Sequence, residues 1–327
     1  MAAVVAGPAR AGQPLVRASV GRRRAPIAYA STMDAGQYER DTPPRALVFG
    51  GSGQIGERLL AGLLAQGWQV SAVSRVPRAA APGLVWRQGD LSGHWQDDGP
   101  FDAVFSCGPL DHFARWYQAS DIAAPRVVAF GSTSVEVKGD SSEPAERDVA
   151  HRLRQAEATL FAAARARGVA ATVLRPTLVY GAGRDATLTA IARLATRAGM
   201  FVLPTGADGL RQPVHVQDLA DAALQVLRHP ATAGRAYALG GGERLGYAEM
   251  VRRVLASLQP PPRLLRVPAP LFRGALAAAH GIGRLRGMNA AALARMREPL
   301  VFDIAPAQRD FGYAPRPFNP TRDMFGL

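Results

Sequence analysis

From residue 45 to about 174, short apolar runs alternate with stretches whose apolar positions recur at helical spacing. The runs occupy residues 46–49, 70–73, 84–86, 103–105, 127–130 and 170–174, each bounded by Gly, Pro or polar residues. Their near-continuous apolar character is that of strands covered on both faces, which is the situation of a parallel sheet with crossover helices. Helices are predicted over 54–65, 110–122 and 146–167. The pattern therefore predicts an α/β chain with a Rossmann-type, doubly wound parallel sheet over residues 45–176. Beyond 176 the rhythm loosens into helices with isolated runs at 201–203, 214–216 and 236–239, and prolines gather at 260–262, 268 and 270. This part reads as a small mixed C-terminal lobe, residues 177–327, interwoven with the sheet domain, whose sheet is completed by later segments. Residues 1–44 are rich in Ala, Gly, Pro and Arg without periodicity and are expected to be a disordered extension.

At 327 residues with 48% hydrophobic content, the chain buries a sizeable core without disulfides or structural metals. Its single cysteine, Cys107, excludes a disulfide framework and cysteine-based zinc sites, and no uncharged apolar run reaches membrane-spanning length. The net charge of +13 comes from 38 arginines and one lysine, Lys138. So lopsided a ratio reflects coding bias more readily than phosphate binding. Five arginines precede the first acid, Asp34, and the rest are scattered without interleaved aromatics, so neither nucleic acid nor membrane is expected as a partner. The expected partner is a small-molecule substrate, and the expected assembly a monomer or homodimer. A cytoplasmic protein starting at Met33 is the expectation; the alternative is an organelle-targeted one, with residues 1–32 as an Arg-rich transit peptide.

The most informative stretch is ALVFGGSGQIGERLLAGLLAQG, residues 46–67. An apolar strand runs into Gly50, Gly53 and Gly56, and an amphipathic helix starts near Gln54. Residues without Cβ let the backbone turn tightly and approach a pyrophosphate, while the positive end of the helix favours its charge. A glycine triplet alone is weak; between the first strand and first helix of a βαβ rhythm it indicates dinucleotide binding. The loop and first turn, Gly50, Ser52, Gly53, Gln54, Ile55 and Gly56, are thus candidate cofactor contacts.

The spacing G-x-x-G-x-x-G resembles that of the short-chain dehydrogenase/reductase superfamily, in its extended and atypical branch of nucleotide-sugar epimerases and dehydratases. Later segments match that branch in order: GDL at 89–91, FSCG at 105–108, VVAFGSTSVEV at 127–137, LRPTLVYGAGRD at 174–185 and RQPVHVQDLADA at 211–222. The resemblance implies that Asp90 and Leu91 contact the adenine, that Cys107 and Gly108 pass beneath the nicotinamide ribose, and that Pro176 borders the cofactor. It also implies that Arg211 and Gln212 approach substrate phosphates; the alternative for Arg211 is a salt bridge to Asp218 or Asp221.

Which dinucleotide is bound can be argued from the second strand. An Asp or Glu at its end would accept from the ribose 2′-hydroxyl, whereas a 2′-phosphate needs a cation. This chain has Ser74 and Arg75 there, with Arg78 as a possible second partner, so NADP(H) is expected over NAD(H).

The resemblance further implies a Ser/Thr, Tyr and Lys catalytic set. Ser132 occupies the serine position with Thr133 beside it, but counting back from Glu157 puts Val149 and Leu153 where Tyr and Lys belong. His151 is the nearest titratable replacement; on a charged helix its other reading is a solvated side chain. Tyr180 and Asp111 are weaker candidates, read as a packed ring and a helix cap, and Cys107 reads as a small buried residue. The sequence therefore points to an NAD(P)-dependent, epimerase/dehydratase-like oxidoreductase acting on a nucleotide-sugar-like or other polar small molecule. The alternative is a non-catalytic NADP(H)-binding sensor or assembly protein.

Overall fold

All six predicted runs are strands: β1 (Arg45–Phe49), β2 (Gln69–Ser74), β3 (Leu84–Gln88), β4 (Ala103–Ser106), β5 (Arg126–Phe130) and β6 (Ala170–Pro176). They come from a computed structural model that describes residues 42–93, 99–281 and 295–327. The extension predicted for 1–44, with Met33 and any transit peptide, falls outside the described residues up to position 41. Helix α1 (Gln54–Ala65) has the predicted bounds. Helix α2 (Leu110–Ala119) stops short of residue 122, because Ser120 takes an extended conformation and its Oγ donates to the Tyr117 carbonyl at 3.0 Å. A one-turn helix α3 (Ser134–Val137) follows β5. Helix α4 (Pro144–Ala166) begins two residues early, with Pro144 in the first turn, where a missing N–H breaks no hydrogen bond.

Beyond β6 lie β7 (Val179–Tyr180), α5 (Leu188–Ala198), β8 (Met200–Pro204), β9 (Leu210–Arg211), β10 (Val214–His215), α6 (Val216–Gln225) and β11 (Arg235–Leu239). They are followed by β12 (Leu245–Gly246), α7 (Tyr247–Ala256), β13 (Arg263–Val267), α8 (Ala269–Gly281) and a further helix at Ala305–Phe311. The run at 236–239 belongs to the main sheet: β11 pairs with β6 in parallel, Tyr237 opposite Leu174. The run at 201–203 lies in β8, which pairs with β13 outside that sheet.

The seven-stranded sheet has the order β11-β6-β5-β4-β1-β2-β3 and is parallel throughout. Chain order reverses between β1 and β4, and a doubly wound sheet opens its binding crevice beyond the strand ends at that reversal. Alternate residues of β1 enter opposite cores. Ala46 and Val48 pack with Leu59 and Leu63 of α1 and Leu219 and Ala223 of α6. Leu47 and Phe49 pack with Phe113 and Tyr117 of α2 and Leu160 of α4. Covered on both faces, a strand has no polar side to show, which is why these runs read as unbroken apolar segments. A third cluster joins Tyr180, Leu188 of α5 and Met250 and Val251 of α7 to Phe318 and Phe325 near the C-terminus.

Candidate active site at the C-terminal edge of the sheet

The chain leaves β1 into a turn that only glycine fills. Gly50 has φ +70°, and a Cβ there would lie 2.8 Å from the Cys107 carbonyl carbon. The loops after β1 and β4, on either side of the reversal, are thus in backbone contact. The Gly53 N–H donates to the Gly50 carbonyl at 2.9 Å, and Gly53 precedes α1 with no side-chain cap. Amide groups of the first turn of α1 lack intrahelical partners, so they and the helix dipole suit a diphosphate. Gln54 Oε1 is buried with no hydrogen-bond partner among the described residues. Ile55 instead packs into the core. Ser52 offers its carbonyl to Arg184 Nη1 at 2.9 Å, and Arg184 also pairs with Glu57. The loop after β7 is thereby tied over the glycine loop, a connection that no sequence spacing signals.

Around this cradle, Arg75 is exposed at the end of β2. Arg78 lies 5.1 Å over the Trp86 ring, so it stacks instead of extending beside Arg75. Asp90 Oδ1 accepts from Ser92 N at 2.8 Å and Ser92 Oγ at 2.6 Å; these bonds, aided by Arg75, hold its carboxyl below the usual carboxylate range. Leu91 packs at the margin of the core. Burial pushes the Cys107 thiol up to about 12, leaving no thiolate for nucleophilic chemistry. Gly108 has open space where a Cβ would stand. The Pro176 carbonyl accepts from Thr133 N and Oγ1, both at 3.2 Å, so the Thr133 hydroxyl anchors the β5 loop to β6.

Next to that loop is a cavity of about 400 Å³, whose lining includes Ser132, Thr133, Ser134, Lys138, Arg211, Gln212, Tyr247 and Arg295. Val137, Leu178, Met296, Leu300 and Phe302 supply apolar wall. Three cations and no carboxylate line it among the described residues, a composition that favours an anionic ligand. Ser132 and Ser134 hydroxyls lie 3.1 Å apart. Sequence reasoning thus placed Ser132, Thr133, Arg211 and Gln212 at one site, and missed Lys138, Tyr247 and the wall from residues 295–302.

Three expectations change. His151 is exposed on α4 and is not among the cavity-lining residues, because that helix turns the face with Ala150, Ala156, Glu157 and Leu160 inward. Arg211 makes no salt bridge to Asp218 or Asp221. Its guanidinium donates to the Leu210 carbonyl at 2.7 Å, the Glu298 carbonyl at 2.9 Å and the Arg295 carbonyl, and lies over the Tyr247 ring. Asp218 accepts instead from Arg316 Nε at 2.7 Å. Gln212 is a strut: Nε2 donates to the Gly241 carbonyl at 3.0 Å, and Oε1 accepts from the Phe302 N–H at 3.2 Å. Of the other candidates, Tyr180 is buried edge-on to His215 and Phe318 with its hydroxyl pushed up to about 12 by burial. Asp111 pairs with Arg152 at 3.3 Å.

His215 caps α6, its Nδ1 accepting from Gln217 N at 3.1 Å. Burial first, and then the Arg316 charge, hold it below its ordinary value. The unfolded chain therefore takes up this proton first as pH falls, near the ordinary histidine value of about 6.5. Stability from this group is present above that pH and lost below it. Thermal melts should show a decline setting in below about pH 6.5, and His215→Asn, which keeps a capping acceptor, should remove that step. An unchanged profile would show that the cap tolerates protonation.

The sequence model of the NAD dependent epimerase/dehydratase family matches residues 113–240. A UDP-glucose 4-epimerase of Vibrio cholerae is 24% identical over 85% of this chain and 92% of its own length. A 2-alkyl-3-oxoalkanoate reductase of Stenotrophomonas maltophilia is 29% identical over 83% and 95%. Among solved structures, the UDP-glucuronic acid 4-epimerase from Bacillus cereus in complex with NAD superimposes with a TM-score of 0.62 at 12% identity, covering 84% of this chain and 92% of that one. Relatives named as an epimerase and a reductase do not favour the non-catalytic alternative. Among the described residues, no helix is long and apolar enough to cross a membrane.

Proposed function

We propose that this chain, part of which matches the NAD dependent epimerase/dehydratase family, holds a nicotinamide dinucleotide, NADP(H) in preference to NAD(H), on its glycine loop, and that the adjoining cavity presents an anionic substrate for oxidoreduction. When bound, the dinucleotide supplies or accepts a hydride. The chain's own part is to hold the diphosphate on the amides between Gly50 and Gly56, with Asp90 and Leu91 beside the adenine and Cys107, Gly108 and Pro176 bordering the nicotinamide half. Ser132 would donate a hydrogen bond to the reacting oxygen. Arg211 would act through its charge, since much of its donor capacity is turned to carbonyls.

The observation that carries this reading is the cavity itself, whose lining joins Ser132 to three cations. Its volume lies in the range of small-molecule sites. The relatives' names suggest two anionic substrate classes, a nucleotide sugar and a 3-oxo acid. NADPH oxidation with 3-oxodecanoate, and 4-epimerisation of UDP-glucose with NAD(P)+, separate them; background rates in both, with the dinucleotide shown to bind, would overturn the reading.

The cofactor preference has its own test. Arg75 is exposed directly after β2, and the strand ends in Ser74 and not in a carboxylate, which supports a contact to a 2′-phosphate. A charged hydrogen bond contributes about 1.5–3 kcal/mol. Arg75→Ala should therefore weaken NADPH binding by about 10- to 100-fold and leave NADH binding nearly unchanged. Equal loss for both would refute the phosphate contact.

A further inference from the structure

The positions at which the resemblance places Tyr and Lys carry Val149 and Leu153, and Leu153 packs against the core. No proton donor can come from there. The cavity wall offers another: Lys138, the only lysine of the chain, lines the cavity with Ser132 and Ser134. Resting on the function proposed above, we infer that Lys138 donates the proton to the substrate oxygen and so does the work of the missing pair.

Local geometry brings the lysine there. The Lys138 N–H closes the turn of α3 by donating to the Ser134 carbonyl at 3.1 Å, and residues four apart on a helical turn lie on the same side. Ser134 in turn stands 3.1 Å, hydroxyl to hydroxyl, from Ser132. Two hydroxyls and an ammonium thus line the same cavity. Lys138 Nζ is 3.5 Å from Glu146 Oε1, while Glu146 is held more closely by Arg295 Nη1 at 2.5 Å and Ser141 Oγ at 2.7 Å. Burial works against the charge on Glu146, but the Ser141 bond and the Lys138 and Arg295 charges outweigh it and keep the carboxyl below its ordinary value. A charged Glu146 anchors the ammonium at 3.5 Å, and an ammonium carries three N–H donors, more than this one contact uses.

The chemistry balances. As a hydride reaches the carbonyl carbon, the C=O π pair becomes a lone pair on oxygen. A proton leaves Lys138 Nζ and forms the new O–H bond, and the neutral amine takes a replacement proton from solvent. The alkoxide is far more basic than an amine, so the transfer runs downhill, and before it the ammonium stabilises the growing negative charge. Oxidation of an alcohol runs the same steps in reverse, with neutral Lys138 as base.

A single lysine makes the test direct. Reductive 13C-methylation keeps the charge and labels Lys138 and the α-amine alone. With 3-oxodecanoate or UDP-glucose added in the presence of NADP+, the Lys138 methyl signal should move and the α-amine signal should not. In parallel, Lys138→Met should lower kcat by about 100-fold or more with little change in KM, and Lys138→Arg, which restores the charge but holds its proton throughout, should leave kcat equally low. A Lys138 signal unmoved by either probe, or a Lys138→Met variant with wild-type kcat, overturns the inference. A moving signal in a protein that turns over neither probe would overturn the proposed function and leave the contact standing.

Discussion

Gly56→Ala should weaken dinucleotide binding by at least about 100-fold, or about 2.8 kcal/mol, the loss of one to two charged hydrogen bonds of about 1.5–3 kcal/mol each. A Cβ at this position would lie 2.2 Å from the Gly50 carbonyl oxygen, 2.7 Å from Gly51 Cα and 2.9 Å from the Gly50 carbonyl carbon. All three are backbone atoms of the loop that would grip the diphosphate, so no flexible side chain can yield. Either the loop or the start of α1 must shift, and both the turn and the amides of the first helical turn lose their alignment. Gly50 is pinned from the other side by Cys107, so the displacement would spread toward β4. Calorimetric titration with circular dichroism as a check on folding reads the effect. A folded variant with wild-type affinity would show that the loop does not carry the ligand.

Glu157→Ala should cost about 3 kcal/mol of stability, toward the low end for a broken buried ion pair because part of the guanidinium reaches solvent. Glu157 is buried, its Oε1 and Oε2 accepting from Arg175 Nε at 2.8 Å and Nη2 at 2.5 Å, and Arg175 Nη1 reaches Glu136 at 3.0 Å. This fork ties α4, β6 and α3 together, and α3 is the turn that places Ser134 and Lys138. Truncation leaves the partly buried Arg175 charge with the Glu136 carboxylate as its other partner. The variant should show a lower urea midpoint with an unchanged slope, and Glu157→Gln, which keeps the shape and one acceptor, should lose less. A loss under about 0.5 kcal/mol, the size of a surface substitution, would mean that the fork is screened like an exposed pair.

The sheet was legible in the sequence because each strand is covered on both faces, which forces an unbroken apolar run bounded by turn residues. The glycine loop was legible for a related reason, since backbone packed on backbone admits no side chain. The site was only half legible. Ser132 could be placed from the end of β5, but Lys138 stands out only after the single turn of α3 folds it back, and one turn carries no periodicity. The wall at Arg295–Phe302 lies more than a hundred residues from Ser132 and reaches it through tertiary packing. Arg175 and Arg184 hid among 38 arginines, where charge alone marks nothing. Gln212 shows the reverse error: a polar residue near an expected phosphate turns out to bind Gly241 and Phe302.

Titration calorimetry of the folded protein with NADPH and with NADH tests most directly whether the amides from Gly50 to Gly56 form a dinucleotide cradle. One site per chain, heat with both ligands and a lower Kd for NADPH are predicted. No heat with either dinucleotide at millimolar concentration would contradict the account.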